Sequence, residues 1–185
     1  MSRLRELNET VTSVDSEAKA VELIKIWTPE QAKFLDGRGT GVEAGVRNCS
    51  LIASFIVAFY THRSVKYGAF AASDGKPRKL ETFDLKKVLT KDPQVTVVMA
   101  GGHDFAIVRE GNLYGLYQAW EGKFHVFPRL NEDDESHNIF GMGDDTIKLI
   151  NDEVAHIARM VNTADGAPQS DGAVGTPGSF DLKII

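Results

Sequence analysis

Four short segments in the second half of this 185-residue chain constrain its fold most. They are "QVTVVMA" (residues 94–100), "HDFAIVRE" (103–110), "NLYGLYQAW" (112–120) and "KFHVFP" (123–128). Each is rich in β-branched and aromatic residues, and Gly-Gly, Glu-Gly-Asn and Glu-Gly turn signals separate them. A chain patterned this way is expected to form a four-stranded antiparallel meander, with the hairpin between its second and third strands turning around Glu110 to Asn112.

The first half has the longer period of helices. Ala18, Val21, Leu23, Ile24 and Ile26, ending at Trp27, predict an amphipathic helix starting near Ser16. Thr28-Pro29-Glu30-Gln31 reads as a fresh helix start that runs to about Gly37. The glycine-rich "DGRGTGVEAG" is a loop, and it leads to the most apolar helix of the chain, roughly Cys49 to Thr61. "GAFAASDGKPRK" reads as a polar connection, and "ETFDLKKVLTK" as one short helix with Asp84 near its beginning. After the strands a helix is expected from about Asp144 to Val161.

The fold class is therefore α+β. One domain spans 1–162, and a Gly/Pro/Ala-rich tail, 163–185, is expected to be flexible. Its last residues, "FDLKII", have the pattern of a returning edge strand.

Composition narrows the function classes. The net charge of −5 lacks the basic footprint that phosphate neutralisation demands, so nucleic acid is not an expected partner. No apolar run reaches the roughly 18 residues of a membrane span, so a soluble chain without a membrane partner is expected. The N-terminal "MSRLRELNETVTSVDSEAK" lacks the apolar core and small-residue cleavage site of a secretory signal.

A single cysteine excludes an internal disulfide framework and any multi-cysteine zinc site. His62, His125, His137 and His156 show no metal-ligand spacing, so neither metal nor other cofactor is expected.

That cysteine stands in "RNCS", at the polar mouth of the apolar helix, where a packing residue would rather lie among Leu51, Ile52, Phe55 and Ile56. A helix N-terminus presents N–H groups and the positive end of the macrodipole, which favour thiolate and stabilise an oxyanion. "GGHDFAIV" then opens a strand with His103, and the following strand brings Gln118 back to the same end. An imidazole near the thiol forms a thiolate–imidazolium pair, and an amide oxygen can orient the ring. Asp104 is not the expected orienting group, because successive strand side chains point to opposite faces. Trp120 and Tyr117 are expected to close the core or a substrate groove, and the acidic run "NEDDESHN" (131–138) is read as a solvated loop. The competing plain reading of Cys49 is a small buried hydrophobe.

Taken in order, "RNCS", "GGHDFAIV" and "LYGLYQAW" resemble the papain-like cysteine hydrolase superfamily, in particular the papain-fold toxins and bacterial deamidase effectors, over roughly Val42 to Phe127. The resemblance implies Cys49 as nucleophile, His103 as general base and then acid, and Gln118 as third member. Oxyanion donors would be the Cys49 N–H and the Asn48 side chain, because the comparable upstream stretch "GVEAGVRN" carries Glu43 and no Gln. It also implies a protein substrate, a cognate immunity or host target protein, and non-classical secretion from the bacterial cytoplasm into a target cell. Deamidation of a protein glutamine is the favoured reaction, with a cysteine protease close behind. The chain is also similar to the NlpC and CHAP peptidoglycan amidases, but lacks their aspartate before the cysteine and the Pro-Gly-Asp turn before the histidine strand. A non-enzymatic acidic interaction module with a buried cysteine is the alternative outside enzymes.

Overall fold

A computed structural model of the chain describes residues 2–13, 49–61, 78–79, 82–100, 103–118, 138–163 and 179–184. In chain order the elements are α1 (Arg3–Thr12), α2 (Cys49–Thr61), β1 (Arg78–Lys79), α3 (Leu85–Val88), β2 (Gln94–Ala100), β3 (His103–Glu110), β4 (Leu113–Gln118), β5 (Ile139–Met142), α4 (Gly143–Thr163) and β6 (Ser179–Ile184). The fold is α+β, with one antiparallel sheet ordered β1-β6-β2-β3-β4-β5.

Three of the expected strands, 94–100, 103–110 and 113–118, form as read. The β3–β4 turn falls at Gly111 and Asn112, where Gly111 takes φ +60, a left-handed conformation that glycine adopts without a Cβ clash. The expected strand at 123–128 lies outside the described residues, and the described neighbour of β4 is β5. The expected helices near 16–27 and 28–37 also lie outside them.

Two expectations are corrected. "FDLKII" does return, but as an inner strand: β6 pairs with β2 along Thr96 to Ala100, and β1 pairs with its first residues. Residues 179–184 therefore belong to the domain and not to a flexible tail. The antiparallel pairing arises because β2 is buried along its whole length and needs a pairing partner on both edges.

Helix α1 was not expected, although Leu4, Leu7 and Val11 are all buried on one face. Ser2 caps it by accepting from the Arg5 N–H at 3.2 Å. The short helix expected within "ETFDLKKVLTK" is confined to Leu85–Val88, and Asp84 caps it by accepting from the Lys86 N–H at 3.1 Å.

The strand alternation divides the core into two layers. His103, Phe105, Ile107, Leu116 and Gln118 share one face by register with Ala100, Val98 and Tyr114. On that face Phe105, Ile107 and Leu116 pack with Leu85 and Val88 of α3 and with Ile147, Ile150, Val154 and Ile157 of α4. The other face carries Val95, Val97, Ala106, Val108 and Tyr117, all buried. Helices α1 and α2 cover it: the Tyr117 hydroxyl donates to Asn8 Oδ1 at 3.1 Å, and the Tyr60 hydroxyl donates to Glu110 Oε2 at 2.8 Å.

Glu110 ties this layer together. Its carboxylate also accepts from the Ser2 hydroxyl and, at 3.2 Å, from the Leu4 N–H, while Arg3 donates to the Tyr60 carbonyl at 2.9 Å. Burial pushes the Glu110 carboxyl upward, but the bonds from Ser2, Tyr60 and Leu4, with the charge of Arg3, outweigh it and hold it below its ordinary value.

Candidate functional site

His103 opens β3 and Gln118 closes β4, so a tight hairpin brings them to the same end of the sheet. The register sets Gln118 opposite Phe105, which makes His103 its diagonal neighbour on one face. Their side chains meet, with His103 Nε2 and Gln118 Oε1 3.0 Å apart. The Phe105 ring, tilted 31°, lies 5.8 Å from the imidazole centroid and walls it from the adjoining core.

Two residues that the sequence reading did not select complete the cluster. Gln118 Nε2 donates to Glu153 Oε1 of α4 at 2.9 Å, and the Gln118 backbone N–H donates to Asn138 Oδ1 at 3.0 Å. Glu153 is placed by the helical stripe of Ile150, Val154 and Ile157, which packs α4 onto the face bearing Gln118. No periodicity in strand or helix could have linked residues 118 and 153, since the link is tertiary. Asn138 ends the run read as a solvated loop and is part-buried instead.

The acceptor chemistry fixes the hydrogens. The Gln118 amide turns its NH2 to the acceptor oxygen of Glu153 and its own oxygen to His103. The imidazole then carries its hydrogen on Nε2, and Nδ1 is the basic nitrogen of that tautomer. His103 has no solvent exposure, and this burial lowers its pKa to about 4 against the opposing pull of the Gln118 bond. The ring is thus neutral at pH 7.

Asp104 is also buried, with its side chain on the opposite face, toward α1 and α2. Tyr117 shares that face and closes the core, and burial raises its pKa. Trp120 lies outside the described residues.

Cys49 is the first residue of α2. Its side chain, and Asn48 altogether, lie outside the described residues. Helix α2 runs along the sheet face opposite the His103 side chain, with Tyr60 at the Glu110 end of β3. The structure brings together His103, Gln118, Glu153 and Asn138.

Among the described residues, no group of three His, Cys, Asp or Glu side chains is placed to hold a metal ion. Among them, no helix is long and apolar enough to cross a membrane. Comparison with protein-family models, curated proteins and solved structures found no match to the chain.

Proposed function

We propose that the chain is a cysteine-dependent amide hydrolase of papain-like organisation, with Cys49 as nucleophile, His103 as base and Gln118 as the group that orients the imidazole. The observation that carries the proposal is the His103–Gln118–Glu153 relay, which sets one tautomer of a neutral imidazole at the start of β3.

In that scheme the Cys49 sulfur attacks the amide carbon as its proton passes to His103 Nδ1. The oxyanion is held by the Cys49 N–H, at the positive end of α2, and by the Asn48 side chain. Collapse breaks the C–N bond, and the imidazolium gives its proton to the departing amine or ammonia. Water then attacks the thioester, delivering a proton to His103 that returns to sulfur as the C–S bond breaks. Proteolysis and glutamine deamidation share these steps and differ only in the leaving group. The resemblance of the Cys-His-Gln order to deamidase effectors favours a protein glutamine as substrate, and with it a role as a secreted toxin met by a target or immunity protein.

One observation favours a second reading, a non-enzymatic interaction module. His103 is wholly buried, and its side chain lies on the face covered by α4 rather than by the cysteine helix. In that reading the relay is a satisfied polar network within the core.

The rate of Cys49 alkylation against pH separates the two readings. The hydrolase requires fast reaction below pH 7, where an ordinary thiol of pKa ~8.5 is almost wholly protonated, and loss of that reactivity in His103→Ala. Equal, ordinary thiol behaviour in both proteins refutes the Cys–His pair.

A further inference from the structure

The hydrolase scheme uses Gln118 to orient His103, but an amide has two ends of nearly equal size and either can face an imidazole. With its NH2 turned toward the ring, Gln118 would donate to Nε2 and leave the hydrogen on Nδ1, the wrong nitrogen for a base. Neither β3 nor β4 resolves that choice. Its resolution comes from α4, where Glu153 Oε1 lies 2.9 Å from Gln118 Nε2 and Gln118 Oε1 lies 3.0 Å from His103 Nε2.

We propose that Glu153 is a positioning residue: its carboxylate selects the amide orientation of Gln118 and thereby the tautomer of His103. The consequence for reactivity rests on the hydrolase reading, whereas the effect on the tautomer does not. Glu153 acts through Gln118 and touches no reacting atom. Its position supports such a role, because it is half-buried on a helix anchored by the core residues Ile150, Val154 and Ile157. The Gln118 main chain is fixed separately by Asn138, so the Glu153 bond acts on the side-chain amide.

The test uses the full chain labelled with 15N. The shifts of the two His103 ring nitrogens report which one carries hydrogen, and comparison with His103→Ala assigns them. The wild type is expected to show the Nε2–H form at pH 7. Glu153→Gln keeps the shape of the side chain but no longer obliges Gln118 to present its NH2, so a mixture of the two tautomers is expected. Glu153→Ala is expected to do the same. Cys49 alkylation at pH 7 should slow by about tenfold in both variants, the equivalent of one lost charge-assisted hydrogen bond.

A purely structural role would leave the tautomer unchanged in the near-isosteric Glu153→Gln. An Nδ1–H form in the wild type, or an undisturbed Nε2–H form in both variants, would overturn the assignment. A tautomer that shifts as expected while Cys49 reacts as an ordinary thiol throughout would uphold Glu153 and sink the hydrolase reading.

Discussion

Replacing Glu110 by Gln tests the junction that fastens α1 and α2 to the sheet. The carboxylate receives donors from Ser2, Leu4 and Tyr60, and hydrogen bonds to a charged group contribute roughly 1.5–3 kcal/mol each. Gln keeps one oxygen and the side-chain shape, so part of the network survives. The site is also part-exposed, which weakens each contact by screening.

A loss of about 2 kcal/mol at pH 7 is expected, which lowers the melting temperature by roughly 4–8 °C for a domain of this size. The pH dependence has a definite sign. The folded-state pKa of Glu110 is held below its ordinary value near 4.5, so its contribution is full above that value and is lost as the pH falls through the lowered folded one. Thermal melts of wild type and Glu110→Gln from pH 7 to pH 3 should therefore converge in acid, where a protonated carboxyl is as neutral as the amide. A difference that stays constant with pH, or is absent at pH 7, would refute this account of the junction.

Phe105→Ala should destabilise the fold by about 3–5 kcal/mol in denaturant titration, because the ring is wholly buried between the sheet and α4. His103 has a folded pKa lowered to about 4 against an ordinary 6.5, so its stabilising contribution is full above pH 6.5 and declines as pH falls toward 4. His103→Gln should flatten that part of the stability profile. Gly115→Ala should cost roughly 1–3 kcal/mol and disturb the Tyr117–Asn8 bond, since a Cβ there would stand 2.7 Å from the Tyr117 ring. Truncation before Ser179 strips β2 of one pairing partner; loss of the cooperative melt or aggregation is expected, and an unchanged melt would show that β6 is dispensable.

Much of this protein follows from local pattern alone. The β-branched runs and their glycine punctuation specify β2, β3, β4 and the Gly111 turn, because side-chain period and turn chemistry act over a few residues. The same hairpin logic places His103 beside Gln118, and the apolar run after "RNCS" specifies a helix that Cys49 opens. Helix α1 was equally legible in Ser2, Leu4, Leu7 and Val11, but polar residues around that stripe masked it.

Tertiary packing decided the rest. "FDLKII" has the pattern of an edge strand, yet its place between β1 and β2 depends on which edge was vacant once the meander formed. The two-faced burial of the sheet determines that His103 and Gln118 meet α4 while α2 covers the other side, and only that docking sets Glu153 against the Gln118 amide. Residues 118 and 153 lie on different elements, so their contact comes from closing the core over many residues and carries no local signature. Sequence thus specified the groups able to perform acid–base chemistry, whereas the direction of their hydrogens belongs to the packed structure.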